Sequence, residues 1–380
     1  MIKARLRTAS ILSVLLLVIA FGCGRVVETA TLSGSLEIRD GFYVLHLWGS
    51  PQEMGRAHGT LLKNQISELI QKYLYEGVLN DFGIPWPFLV LEAKKFEAAL
   101  PQDFKTELHA IAEGAGISYD EILVGQLIVD LAAYGSTSFV AKGGATAAEA
   151  VIQGSNIEWT DYNNSLRDNL VIIYYEPDEG NKFVSLSYAG GAGVLIGMNE
   201  KQIASSITVI DAGYNPPGLA AAANLRRMLQ YGDNLDQAAA SLIADDRTRG
   251  YTVPLSCGSP EGILVMELSP YHYYTREAES TFEALVSANH FISSEMLPYQ
   301  DSSSAESLAR YARLMELVSG NYGSITASLA KIFMSDQTGT HPINSNLVIY
   351  STVLLPKDLS FWVSKGPVSS EAAYVSFSLE

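Results

Sequence analysis

Apolar positions recur along this chain with two different periods, and the switch between them divides it. Residues Phe42 to Trp48 alternate as a strand centred on Tyr43-Val44-Leu45-His46-Leu47. Ser50-Pro51-Gln52-Glu53 then opens a helix, with a capping hydroxyl, proline in first position and an acid in the first turn. Met54, His58, Leu61, Leu62, Ile66, Leu69, Ile70 and Tyr73 continue it as a helical stripe. A second helix starts at Pro101, turns Phe104, Leu108 and Ile111 inward, and stops near Gly114 and Gly116. Ser118-Tyr119-Asp120-Glu121 reads as a capping box before a third helix reaching about Ala133. From Ser136 onward strand signals dominate, at 136–141, 151–154, 169–176, 182–188, 193–198 and 203–210. Gly190-Gly191-Ala192-Gly193 and Met198-Asn199-Glu200 read as tight turns among them. Helices follow at 219–230 and 235–244, strands at 262–268 and 283–288, and helices at 304–318 and 324–333. The chain closes on strands near 347–354, 359–364 and 373–379. Such blocks, in place of strict alternation, predict an α+β fold with two stacked sheets covered by helices.

At the N-terminus Lys3, Arg5 and Arg7 precede the apolar run Ile11 to Phe21, which falls short of the roughly 20 residues a bilayer span needs. The run reads as a secretory signal. It ends in Ala20-Phe21-Gly22-Cys23, similar to the bacterial lipobox. The expectation is a lipoprotein-type signal over 1–22, a tether over 23–40 and a single domain over 41–380. Such a protein is exported and held on the cell envelope by acyl chains on Cys23, two of which suffice for stable attachment to a bilayer. An ordinary signal peptide with an incidental cysteine is the alternative. Cys257 is the other cysteine, so a lipidated chain forms no internal disulfide and relies on burial, for which 48% hydrophobic residues give ample core.

The formal charge is −16, and removing the three cations of residues 1–22 takes it to −19. That field repels phosphate backbones, and no basic run interrupts it, so nucleic acid is not an expected partner. No His, Cys and acid spacing suits a metal and no phosphate loop is present, so no cofactor is expected.

Candidate chemistry gathers at Gly135-Ser136-Thr137-Ser138-Phe139 and Gly154-Ser155-Asn156-Ile157-Glu158-Trp159. A hydroxyl directly follows a glycine at a strand start, and a carboxylate follows 22 residues later. Further short motifs are Met54-Gly55-Arg56-Ala57-His58-Gly59, Ile111-Ala112-Glu113-Gly114-Ala115-Gly116, Gly197-Met198-Asn199-Glu200 and Ala288-Asn289-His290-Phe291. In this order and spacing they resemble the isopenicillin-N acyltransferase-like (acyl-coenzyme A:6-aminopenicillanic acid acyltransferase) family of N-terminal-nucleophile hydrolases. Phospholipase B-like proteins and bile-salt hydrolases are more distant likenesses. The resemblance implies a four-layer αββα sandwich and self-cleavage before the nucleophile. It also implies amide hydrolysis or acyl transfer on a small N-acyl substrate. Ser136 stands where the family has its nucleophilic cysteine, Asn289 matches its oxyanion-hole asparagine and Glu158 its aspartate. The family's late arginine falls near Ile343-Asn344-Ser345-Asn346, where no arginine exists and Asn344 is the nearest match for a substrate-binding role.

A serine hydroxyl needs an adjacent base to act as a nucleophile at neutral pH. Cutting between Gly135 and Ser136 would supply one, since the new α-amine titrates near pH 8, roughly, and lies beside its own Oγ. Bland readings stand beside these. Ser136 can be a structural strand serine, Glu158 a salt-bridge partner and Asn289 a satisfier of buried backbone. His58 reads as a hydrogen-bonded core residue, Cys257 as a reduced turn residue, and Arg226-Arg227 as a solvated or core-edge pair. Two other functions remain open: a catalytically decayed binding lipoprotein, and an ester or phospholipid acyl hydrolase.

Overall fold

A computed structural model describes residues 32–131 and 135–379; the predicted signal and Cys23 lie outside the described residues. Strands β1 (Gly34–Arg39) and β2 (Phe42–Gly49) form an opening hairpin. A helical block follows: α1 (Pro51–Leu61), α2 (Lys63–Glu68) running into a π-type helix (Leu69–Leu79), α3 (Asn80–Phe82), α4 (Trp86–Glu97), α5 (Gln102–Ala115) and α6 (Tyr119–Leu131). Next come β3 (Gly135–Ala141), β4 (Ile152–Glu158), α7 (Ser165–Asp168), β5 (Leu170–Pro177), β6 (Phe183–Tyr188), β7 (Ile196–Asn199), β8 (Ile203–Ser206) and β9 (Thr208–Tyr214). Helices α8 (Ala221–Tyr231) and α9 (Leu235–Leu242) precede β10 (Arg249–Gly258), β11 (Glu261–Leu268), β12 (Tyr273–Glu277) and β13 (Ala284–Ser287). The chain ends with α10 (Ala305–Gly320), α11 (Ala327–Met334), β14 (Val348–Leu355), β15 (Ser360–Lys365) and β16 (Val375–Ser378).

The larger sheet runs β1-β2-β5-β6-β7-β8-β10-β11-β12, with β9 also on β10, and the smaller runs β13-β3-β4-β14-β15-β16. Helices α1, α8 and α9 pack on the larger sheet, and α10 and α11 on the smaller. Strand β3 touches β9 and β10, so the two sheets face each other and the layers are αββα, as the motifs led us to expect.

Side-chain alternation explains the stacking. In β3, Ser138 reaches Ser206 of the larger sheet at 3.2 Å, while Thr137 accepts from Arg310 of α10 at 2.9 Å and Phe139 packs on Phe333 of α11. In β4, Ser155 meets Ser138 at 2.6 Å on the inter-sheet face. Asn156, pointing the other way, donates to the carbonyls of Met334 and Ile343, each at 2.9 Å. Buried hydroxyls and amides are thereby paired on both faces.

The Gly55, Gly59 and Gly114 positions have a packing cause. A Cβ on Gly59 would come within 2.1 Å of the Ile111 carbonyl, and one on Gly114 within 2.5 Å of the Arg56 carbonyl. Bare backbone lets α1 and α5 cross in direct contact.

Some expectations change. The tether expected to reach residue 40 stops short, because Gly34–Arg39 pairs with β2 through an Asp40-Gly41 turn with positive φ at both residues. That dipeptide is a strong hairpin signal, and β1 reads weakly only because it is a short, half-polar edge strand. Cys257 sits in β10 opposite Gly262 and is buried, so it is a strand residue and not a turn. The expected strand at 203–210 divides into β8 and β9, and α4, β10 and β12 appear where no element was expected.

Candidate active site

Ser136 is the second residue of β3, and it is fully buried. Its Oγ donates to the carbonyl of Gly135 at 2.6 Å, and its N–H donates to Asn289 Oδ1 at 2.9 Å. Asn289 occupies that place because β13 pairs with β3 through Ser287 and Ser138, and the chain then continues along the same edge. Its Nδ2 donates to the Val209 carbonyl at 2.7 Å. Two donors at Oδ1 and a carbonyl at Nδ2 fix which way the amide faces. In this structure the carbonyl end of Asn289 therefore holds the nitrogen of Ser136, and an amide hydrogen expected for an oxyanion is directed at Val209.

Glu158 ends β4 directly opposite Gly135. Its Oε1 accepts from Ser345 Oγ at 2.5 Å, and its Oε2 faces Arg310 Nη1 at 3.2 Å. Burial pushes the Glu158 carboxyl above its ordinary range, with Arg310 and Ser345 pulling it back. A Cβ on residue 135 would lie 2.3 Å from Glu158 Oε2, so glycine is the residue that fits against this carboxylate.

Arg310 joins the groups. It donates to Thr137 Oγ1 at 2.9 Å and Asn289 Oδ1 at 2.7 Å while pairing with Glu158. Sequence reasoning missed it, yet a signal existed. Ser307, Arg310, Leu314 and Val318 form the buried stripe of α10, and a cation on an apolar stripe needs a buried partner. Helix α10 is pinned beside the site by His290, whose Nδ1 meets Ser307 Oγ at 2.7 Å. Burial, with nearby Arg276 and Arg310, lowers the His290 pKa to about 4, so this ring is neutral at pH 7.

Asn344 stands apart from this network. Its Nδ2 donates to the Val368 carbonyl at 2.5 Å and its Oδ1 accepts from Val368 N–H at 3.1 Å, which clamps the chain before β16. In the same stretch it is Ser345 that reaches Glu158. Among the described residues, no group of three or more His, Cys, Asp or Glu gathers to hold a metal.

Comparison with known proteins sets this geometry in a family. The model of the acyl-coenzyme A:6-aminopenicillanic acid acyl-transferase family matches residues 153–348. That span holds Glu158, Asn289, Arg310 and Asn344. An uncharacterised protein of Archaeoglobus fulgidus is 27% identical, over 78% of this chain and 58% of its own length. Protein dcd1B of Dictyostelium discoideum is 29% identical, over 58% of this chain and 47% of its own. The chain thus spans roughly half to three-fifths of the curated relatives it matches. Among solved structures, a Caenorhabditis elegans ortholog of N-acylethanolamine-hydrolyzing acid amidase is 15% identical, covers 64% of this chain and 100% of its own, and gives a TM-score of 0.45. Penicillin V acylase from Agrobacterium tumefaciens is 14% identical, covers 61% and 83%, and gives 0.42. With a family match over more than half its length, embracing the carboxylate, the amide and the guanidinium that surround Ser136, the chain belongs to the acyl-coenzyme A:6-aminopenicillanic acid acyl-transferase family.

Proposed function

We propose that this protein cuts its own Gly135–Ser136 bond and then uses Ser136 to transfer the acyl group of a small N-acyl amide to water or to an acceptor amine. The observation that carries the reading is that the Ser136 hydroxyl is held beside the peptide bond before it, donating to the Gly135 carbonyl oxygen at 2.6 Å, while Asn289 holds the nitrogen of the same serine. Attack of Oγ on that carbonyl forms an ester and releases the nitrogen as an amine; water then opens the ester. The freed amine takes the Oγ proton during attack on substrate and returns it to the leaving amine. Help of this kind is worth on the order of 10²–10⁴-fold. Asn289 Oδ1 and the Glu158–Arg310 pair orient the amine.

Intact mass and denaturing gels test the first step. Wild type is expected to yield a fragment beginning at Ser136 and running to Glu380, Ser136→Ala to remain whole, and Ser136→Cys to be cut. Wild-type protein, correctly exported, in which residues 135 and 136 stay joined would refute the reading.

The reading includes export and anchorage of the protein to the cell envelope through Cys23, supported by the basic start, the short apolar run and the Ala20-Phe21-Gly22-Cys23 sequence. Cys23→Ser is then expected to move the protein from the membrane pellet to the soluble fraction; an unchanged distribution would rule out the anchor.

A further inference from the structure

Strand β12 ends the larger sheet, and among the described residues no strand pairs with its other edge. Its register on β11 is continuous. The strand reads Tyr-Tyr-Thr-Arg-Glu, so neither a bulge, a lysine nor a proline blunts this edge against pairing.

The hairpin that makes β12 fixes which backbone groups the edge offers. Ser269 N–H donates to the His272 carbonyl at 2.9 Å, so residues 269 and 272, 267 and 274, and 265 and 276 are the bonded pairs of the ladder. The alternate pairs are not bonded through backbone; Thr275 and Met266 instead bring Oγ1 and Sδ to 3.3 Å. Tyr273, Thr275 and Glu277 therefore turn their N–H and C=O groups to the open edge. The strand is also rigidly seated. Arg276 donates to the Val286 carbonyl at 3.1 Å and faces buried Glu267 at 3.5 Å. A strand already held in place loses little freedom on pairing with another.

Side chains along this edge are aromatic at one end and acidic at the other. Tyr271 and Tyr273 are 61% and 52% exposed, and exposed Glu277 and Glu279 follow them. Such a strand is complementary to its own reverse.

We infer that β12 is a dimerisation edge whose partner is a second copy of this chain, added antiparallel with Thr275 facing the partner's Thr275. In that register the outward backbone groups of 273, 275 and 277 meet in bonded pairs. Tyr273 comes opposite the partner's Glu277 and Tyr271 opposite the partner's Glu279, phenol to carboxylate. Tyr274 comes opposite the partner's Arg276, an aromatic ring against a cation. Moving the axis to Arg276 or Glu277 would instead set like charges face to face. The interface is isologous, so it closes at two copies. The net charge of −16 opposes self-association only weakly, because physiological salt screens beyond about 8 Å.

Sedimentation equilibrium over micromolar concentrations in physiological salt tests this, on the full-length chain carrying Cys23→Ser so that no lipid drives association. Wild type in that background is expected to dimerise. Tyr273→Glu sets two carboxylates against each other on either side of the axis and is expected to weaken the dimer roughly tenfold or more. Adding Glu277→Lys turns that repulsion into attraction and is expected to restore it. Both positions are exposed, and circular dichroism checks that the variants fold. Hydrogen exchange at the amides of Tyr273, Thr275 and Glu277 is expected to slow as the dimer forms. A chain that stays monomeric, a dimer that Tyr273→Glu leaves intact, a double variant that remains monomeric, or exchange at these amides that ignores concentration overturns the inference.

Discussion

Replacing Arg310 by methionine tests the centre of the site most directly. The change keeps the length of the side chain and removes the charge facing Glu158 Oε2 at 3.2 Å. Both side chains are buried, at 8% and 3% exposure, so the carboxylate left behind has no access to solvent screening. Removing one partner of such a pair destabilises by about 3–5 kcal/mol. For a folded chain of about 350 residues, at roughly 2.1 cal/mol/K per residue, this lowers Tm by about 4–7 °C. Part of the loss comes from the bonds to Thr137 and Asn289 and does not vary with pH. The charge part does vary. Burial already raises the Glu158 pKa above its unfolded value, and losing Arg310 raises it further. A carboxyl with a raised folded pKa binds more protons folded than unfolded, so stability falls as pH climbs from the ordinary carboxylate pKa to the raised one. The Tm deficit of Arg310→Met is therefore expected to be larger at pH 8 than at pH 5. Adding Glu158→Gln should recover much of the pH 8 deficit, because no charge then remains buried. Equal deficits at both pH values, with no recovery in the double variant, would show that the ion pair does not hold the site.

Two further outcomes follow from single contacts. Gly135→Ala pushes a methyl toward Glu158 Oε2, which Arg310 and Ser345 hold in place. Processing before Ser136 should slow at least tenfold, about 1.4 kcal/mol in the barrier, read by a time course of intact mass; a wild-type rate would mean the carboxylate is not where cleavage needs it. His58 concerns stability in acid. Burial lowers its pKa to about 3, so it folds neutral, whereas the unfolded ring protonates below about 6.5. This depressed group makes the protein lose stability as pH falls from about 6.5 toward 3, by up to about 1.4 kcal/mol per pH unit. Denaturant titrations of His58→Gln should show a flatter pH dependence over that range, and an unchanged slope would assign the acid sensitivity elsewhere.

What could be read from sequence follows the physics of each element. Strands β3, β5 and β14 stand out because both of their faces are buried, which makes long runs of apolar and small polar residues. Strand β1 is an edge strand with Ile38 exposed, so composition alone made it look like linker. Strand β10 was hidden by Pro254 and by Cys257-Gly258, although it lies centrally in the larger sheet. Ser136, Glu158 and Asn289 were named from short motifs, and the fold brings them together across β3, β4 and the end of β13. Arg310 lies on α10, outside the 343–346 stretch where the resemblance places an arginine. The buried guanidinium beside Glu158 comes from a helix face, and Asn344 clamps Val368. A cation that enters from a different element leaves no mark in local spacing; its mark is the break in the apolar stripe of α10.

The two faces of the smaller sheet limit what each site residue can do. Ser138 and Ser155 point toward the larger sheet, and Thr137 and Asn156 point toward α10 and α11. By alternation Ser136 shares the first face and Glu158 the second. The hydroxyl and the carboxylate thus lie on opposite sides of the sheet, so Glu158 is badly placed to take a proton from Ser136 Oγ. The nitrogen of Ser136 lies between them, held at its edge by Asn289 Oδ1, which Arg310 links back to Glu158. As an amide this nitrogen has no basicity to offer; as an amine it touches its own Oγ on one side and can face the carboxylate on the other. Gly135 occupies the space on the Glu158 side, so on the proposed reading the acid and the freed amine would meet only once residue 135 withdraws. On the proposed reading, cleavage would create the base and clear its path to the acid in one event.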